Sequence, residues 1–204
     1  DPVRYISNES SGIQGYQIAK KLNDCGIDTK LIIGPTQIKI DENIDFTKVT
    51  TGQEMFECVK NNLPVDIAVC AAAVSDFKTQ SSDQKIKKNN QSLNLILSQN
   101  IDILNFISNH NKLRPKLVIG FAAETDNLID YAKKKLSEKH CDWIVANDVS
   151  NKTIGFNSTE NEVSIIKQNN EIERISKREK SEIASILVQK ILKEFSHNEN
   201  KSIN

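Results

Sequence analysis

The chain has 204 residues, with 27 Lys and Arg set against 27 Asp and Glu. That length fits one domain, or one domain with a small lobe, and allows a core large enough to fold alone. Zero net charge argues against a general nucleic-acid or membrane-surface binder, whose affinity rests on excess positive charge. It leaves room for a small anionic substrate held by a few lysines in a cleft.

In chain order, helix-like and strand-like segments alternate. Residues 10–25 read as a helix stopped by Gly26, because a glycine just past a helix takes the left-handed cap conformation freely. Residues 29–33 form a short apolar strand ended by Gly34 and Pro35, and residues 45–50 form another. Residues 51–61 form a helix with Thr51 as N-cap. The apolar run 66–73, DIAVCAAA, suits a strand covered on both faces of a parallel sheet. Residues 75–92 are polar and irregular, and residues 93–98 alternate as a half-exposed strand. A helix follows over 102–109, a buried strand over 116–123, a helix over 127–140 and a buried strand over 142–146. After a polar loop over 148–161, a hairpin over 162–167 and 171–175 turns at Asn169 and Asn170. Residues 176–195 form an amphipathic helix with Ile183, Leu187 and Ile191 beside Ala184, Val188 and Phe195. Residues 197–204 form a polar, frayed tail.

This order predicts an α/β fold over residues 1–196, a Rossmann-like, doubly wound, mostly parallel sheet with a small β-hairpin extension. Ligands of such sheets bind outside the C-terminal ends of the strands. Those ends carry AAAVSDF, FAAET and AND, each small and then polar.

Four constellations there can carry chemistry. Ser10, Ser11 and Gly12 open a helix whose free N–H groups and dipole favour an anion. On a wheel turning ~100° per residue, Gly12, Gly15, Ala19, Leu22 and Gly26 fall within about 80°. That bare face suits either close helix packing or a phosphate. Asp76 either bonds a base, ribose or metal, or caps its own turn. The run Lys85-Ile86-Lys87-Lys88 either closes over a triphosphate or is solvated. Lys139 projects into the apolar stripe of Leu128, Ile129, Ala132 and Leu136, with Lys135 at its margin. These lysines either clamp phosphate or snorkel at the helix end.

The four cysteines, Cys25, Cys58, Cys70 and Cys141, lack metal-type spacing and read as buried free thiols of a reducing cytoplasm. Asn8-Glu9-Ser10, Asn151-Lys152-Thr153 and Asn157-Ser158-Thr159 are chance glycosylation matches in an Asn-rich chain. No apolar run reaches the ~18 residues that span a bilayer. No signal peptide is recognisable. His110, His140 and His197 are scattered, and no GxSxG, HExxH or Walker loop occurs.

The ordered segments DPVRYISNESSGIQG, LIIGP, AAAVSDF, KIKK, GFAAET, WIVANDV and GFNS closely resemble the phosphopantothenoylcysteine synthetase domain of bacterial bifunctional coenzyme A flavoproteins. The resemblance covers nearly the whole chain. It implies a CTP- and Mg²⁺-dependent ligase that joins 4′-phosphopantothenate to L-cysteine through an acyl-cytidylate. It further implies that Asn8 serves the second half-reaction and that Arg4 braces the active loop or the substrate phosphate. Lys85 is implied as catalytic. The implied nucleotide pocket comprises Cys70, Ala71, Ala72, Asp76, Lys85, Ile101, Asp102, Ile103, Leu104, Phe121, Lys135 and Lys139, beside the helix start at Ser10, Ser11 and Gly12. Metal ligands are not implied. Family members carry a strand and a glycine-rich turn before DPVRY, so a first strand is expected upstream, with an FMN-dependent decarboxylase domain further N-terminal. A cytoplasmic homodimer is also expected, with pairing edges around 36–50 and 162–175. An NAD(P) oxidoreductase is disfavoured by the lack of GxGxxG with an acidic residue ~20 positions later. A non-catalytic nucleotide-sensing or scaffold domain is the remaining reading.

Overall fold

A computed structural model describes residues 1–88, 92–149 and 158–202, with side chains described as far as residue 196. In chain order the elements are α1 (Ile13–Asp24), β1 (Lys30–Ile33), β2 (Asp45–Lys48), α2 (Gly52–Asn61), β3 (Ile67–Cys70), β4 (Phe77–Thr79) and β5 (Leu97–Gln99). They continue with α3 (Ile103–Ser108), β6 (Leu117–Glu124), α4 (Leu128–Lys139), β7 (Trp143–Asp148), β8 (Glu160–Lys167), β9 (Ile172–Glu179) and α5 (Lys180–Ser202). The main sheet runs β3-β6-β7-β8-β9. Its first three strands are parallel, and the β8–β9 hairpin extends it antiparallel. Strands β1 and β2 form a separate parallel pair, and β4 and β5 an antiparallel one. The α/β architecture with a hairpin extension is as the alternation predicts.

Alternation along β6 sorts its side chains onto two faces. Leu117 and Ile119 join Trp143 and Val145 of β7 under α1 and α5, against Ile183, Leu187 and Ile191. Val118 and Ala122 join Ile144 and Ala146 under α2, α3 and α4, against Met55, Leu104, Ala132 and Leu136. Gly120 faces the second layer. A Cβ there would lie 2.6 Å from Leu104 Cδ2 and 2.8 Å from Ile144 Cδ1. The missing side chain is therefore what lets α3 rest on β6.

The opposite end of the sheet is tied by Arg114. Its guanidinium donates to the carbonyls of Ser108, Pro115 and His140 and to both carboxylate oxygens of Asp142. Asp142 Oδ2 also accepts from the Val118 N–H at 2.7 Å. Removing Arg114 would leave three carbonyls and a carboxylate short of donors.

Several expectations are corrected. Helix α1 starts at Ile13, because Gly12 takes the left-handed conformation at φ 73 and Ser10 to Gly12 lead into the helix. Gly26, at φ 78, follows the C-cap Cys25 as the expected stop. Two members of the bare stripe are thus glycine for backbone reasons. Strand β3 is half-buried and not covered on both faces, because among the described residues it pairs with β6 alone and forms an edge of that sheet. The segment 36–50, expected as a dimer edge, is strand only over Asp45–Lys48. Strand β4 was not expected, and β5 is shorter than predicted. Residues 176–179 belong to β9, where Glu179 and Arg178 pair with Glu160 and Asn161. Helix α5 continues through the expected frayed tail to Ser202. The GFNS segment except Ser158, the glycosylation match at 151–153, Asn157 of the match at 157–159, and residues 89–91 of the polar segment 75–92 lie outside the described residues. Among the described residues, no helix is long and apolar enough to cross a membrane.

Gly120→Ala is expected to cost about 1–3 kcal/mol, because the added methyl must push Leu104 or Ile144 aside. Urea denaturation checks this, and an unchanged midpoint would show that α3 does not need the gap. The thiols give a second expectation. Burial pushes the Cys70 thiol up to about 12 and Cys141 up to about 11, whereas Cys25 is exposed. Iodoacetamide at about pH 8 should label Cys25 first and spare Cys70 and Cys141 until the chain unfolds. Peptide mapping that found Cys70 labelled as fast as Cys25 would contradict this packing.

Candidate active site

The end of β3 is where the sequence-derived residues converge. Cys70 lies in register with Gly120, and Ala71 follows it off the sheet. Helix α1 presses on this end, and a Cβ at Gly15 would sit 3.6 Å from Ala71 Cβ. Gly15 is thus the member of the bare stripe that meets the strand end. No side chain caps α1. Ser11 and Ser10 hydroxyls instead accept from the Ile13 and Gly12 N–H groups at 3.4 and 3.3 Å. The hydroxyl of Thr36 donates to the Ser11 carbonyl at 2.8 Å, which fixes the helix start against the loop after β1. Asn8, in the exposed stretch before α1, points its amide toward the Val74 carbonyl at 3.5 Å. The N-terminal loop, the helix start and the strand end therefore share one corner.

A second group approaches the corner from α3 and α4. Asp102 caps α3 by accepting from the Asn105 N–H at 2.8 Å. Its other oxygen accepts from Lys139 Nζ at 2.5 Å. Burial pulls the Asp102 carboxyl upward, but the Lys139 bond, the Asn105 N–H and the charges of Lys139 and Lys135 outweigh it and hold it below its ordinary value. The Asp102 bond in turn raises Lys139 despite its partial burial, and the charge of Asp76 reaches it too. Lys135 and Lys139 are half-buried while Lys133, Lys134 and Glu138 are exposed, as the helical wheel predicts. Asp76, Asp102, Lys135 and Lys139 thus form one electrostatic neighbourhood.

The remaining candidates are distributed around it. Ile103 and Leu104 are buried on the α3–α4 face, whereas Phe121 packs on the α1–α5 face. The set straddles the sheet end. Lys85, Lys87 and Lys88 are exposed. Arg4 does not reach outward for an anion. Its guanidinium bonds the Asp1 carboxylate and donates to the Ile86 carbonyl at 2.7 Å. A cavity of about 490 Å³ lies elsewhere, at the start of α4, lined by Asn127, Asp130, Asp148, Glu162, Ser164 and Arg174 among others. None of the sequence-derived candidates lines it. Among the described residues, no group of three His, Cys, Asp or Glu is placed to hold a metal ion.

Sequence reasoning missed two contributors. Asn100 donates to the Ser75 carbonyl at 3.1 Å, and its N–H donates to the Asp76 carbonyl at 2.8 Å. It therefore knits the AAAVSDF segment to the start of α3. Gly52, first residue of α2, allows that contact, because a Cβ there would fall 2.7 Å from Asn100 Nδ2 and 3.2 Å from Val74 Cγ1. Neither residue had a local signal beyond an Asn before a helix and a Gly after a cap.

The family described as the DNA/pantothenate metabolism flavoprotein C-terminal domain matches residues 1–195. The chain is 38% identical over 197 residues to the coenzyme A biosynthesis bifunctional protein CoaBC of Haemophilus influenzae, covering 96% of this chain and 48% of that protein. It spans about half the length of the curated relatives it matches. A crystal structure of the C-terminal domain of a coenzyme A biosynthesis bifunctional protein CoaBC superposes with a TM-score of 0.76 at 30% identity, covering 98% of this chain and 89% of that one. The Cab2 mutant H337A in complex with phosphopantothenate-cysteine shares the fold at a TM-score of 0.74 and 15% identity, covering 99% of this chain and 83% of that one. The chain therefore belongs to the DNA/pantothenate metabolism flavoprotein C-terminal domain family.

Proposed function

We propose that this chain is the ligase part of a coenzyme A biosynthetic protein, condensing 4′-phosphopantothenate with L-cysteine at the expense of CTP. The observation that carries the reading is the shared corner in which a family member brings Asn8, the Cys70–Asp76 strand end and the Asp102–Lys139 pair together. In the first half-reaction the substrate carboxylate attacks the α-phosphorus, the bond to pyrophosphate breaks, and an acyl-cytidylate forms. In the second, the cysteine amine attacks the acyl carbon, the bond to CMP breaks, and the amine gives up a proton. Neither step needs a covalent enzyme intermediate, so positioning and electrostatics supply the catalysis.

The residues fit these tasks by their chemistry. Small side chains at Ala71 and Ala72 leave backbone open to a flat base. Lys135 and Lys139 oppose phosphate charge from one helix side, and Lys85 does so from the segment that Arg4 holds. A nucleotide phosphate would share Lys139 with Asp102 or displace that carboxylate. The Asn8 amide can donate to and accept from the acyl intermediate. The described residues form no three-ligand metal cage. They suit a Mg²⁺ that arrives on the triphosphate, with the exposed Asp76 as a carboxylate that could contact such an ion. That ion would neutralise phosphate charge. The reading also takes the protein to be a cytoplasmic homodimer with an FMN-dependent decarboxylase domain in the full-length chain.

Pyrophosphate release by the full-length protein tests this with 4′-phosphopantothenate and either CTP or ATP, with and without cysteine. Release should require phosphopantothenate, favour CTP, and yield the amide only with cysteine. Release that needs no phosphopantothenate, or no release with either nucleotide, would sink the ligase reading. In Asn8→Asp, pyrophosphate formation should persist within a few-fold while amide formation drops by about a hundredfold. An equal loss in both halves would remove the special role of Asn8. Lys139→Ala should cost within about 1 kcal/mol of stability, as a solvent-screened pair does. It should weaken nucleotide binding by roughly tenfold. A large drop in melting temperature with unchanged nucleotide affinity would reduce Lys139 to a structural partner of Asp102.

A further inference from the structure

The Asp1 carboxylate has an unusual setting for a residue in an exposed loop. Its side chain is only 1% exposed, although Arg4 beside it is 56% exposed. One oxygen accepts from the Val3 N–H at 3.1 Å. The other accepts from Arg4 Nε at 3.0 Å, from a second Arg4 nitrogen, and from the Ile86 N–H at 3.2 Å. Arg4 then donates to the Ile86 carbonyl at 2.7 Å. The Arg4 N–H also closes a turn onto the Asp1 carbonyl at 3.2 Å. Both backbone groups of one residue, 85 positions away in sequence, are therefore taken by a single Asp–Arg pair.

Ile86 is the middle of the Lys85–Lys88 run, and its own side chain is 37% exposed. It is not anchored by burial. Its position relative to the N-terminal loop is set by these hydrogen bonds, in which both protein partners are charged and so bind more strongly than neutral ones. We propose that Asp1 is a positioning residue that fastens Ile86 and thereby holds Lys85 and Lys87 at a fixed distance from the loop that carries Asn8. Asp1 touches neither substrate nor nucleotide. It acts through Arg4 and the Ile86 backbone, so the lysines of one segment and the amide of the other meet the same bound molecule in register. The kinetic part of this inference rests on the ligase reading above, and the structural part does not.

The test uses Asp1→Ala and Asp1→Asn in the full-length protein. Hydrogen exchange of the Ile86 amide reads the fastening directly. Asp1→Ala should speed that exchange by about tenfold while core amides of β6 and β7 keep their rates. Asp1→Asn keeps a single oxygen acceptor, for either the Val3 or the Ile86 N–H, and loses the charge, so its exchange should fall between wild type and Asp1→Ala. Unchanged Ile86 exchange in both variants would overturn the fastening. In kinetics, Asp1→Ala should raise the nucleotide KM several-fold and slow pyrophosphate release, with Asp1→Asn partly restoring both. Faster Ile86 exchange with unaltered KM and kcat would leave a structural tie and overturn the positioning role. Loss of protection in β6 and β7 as well would show that Asp1 supports the whole fold, and this too would overturn it. If the wild-type protein shows no ligase activity while Ile86 exchange responds as expected, the fastening stands and the functional reading fails.

Discussion

The site depends on a side chain that is not there. Gly120 sits in the middle of β6, flanked by Cys70 of β3 and Ile144 of β7. Any Cβ at that point would collide with Leu104. Because the gap exists, a helix of only 6 residues can dock on the sheet with Ile103, Leu104 and Ile107 buried. A helix that short is not stable on its own and takes its place from such packing. Its N-cap, Asp102, is thereby delivered to Lys139 on α4, next to the end of β3. One missing methyl thus sets where the carboxylate and the lysine meet.

Two ion pairs stand at this corner. Asp102 holds Lys139, and Asp1 holds Arg4. The two pairs differ in surroundings. Asp102 is 42% exposed, so solvent screens its attraction and a phosphate can compete for the lysine. The Asp1 side chain is buried among donors, so withdrawing its partners would leave a buried charge unpaired. The first pair suits exchange with an anionic ligand, and the second suits permanence. Arg4 was expected to brace either the loop or a substrate phosphate, and its geometry favours the loop.

Most strands and helices were legible because each leaves a periodic trace in its own residues. Thr51 capping α2, the Asn169–Asn170 turn and the buried stripe of α5 all follow from local chemistry. What was misplaced depended on distant partners. Residues 176–179 have no alternating apolar pattern, yet they are strand because Glu160 and Asn161 offer hydrogen bonds. Strand β4 exists because β5 pairs with it 20 residues on. Run 66–73 looked fully buried because it is uniformly apolar, but apolarity reports what can be buried, not whether a neighbour is present.

For the site, the sequence by itself determined the membership of the family, the small residues at the strand ends and the side of α4 on which Lys135 and Lys139 lie. Those follow from motif order and from a fixed rotation per residue. Only the tertiary structure decided which charge meets which. Asp102 and Lys139 are 37 positions apart, and Asp1 and Ile86 are 85 apart. No local propensity encodes such a meeting, because it depends on how two layers stack and how closely a backbone can approach. The roles of Asn100 and Gly52 belong to the same class, since both are set by contact across the fold and not by the residues beside them.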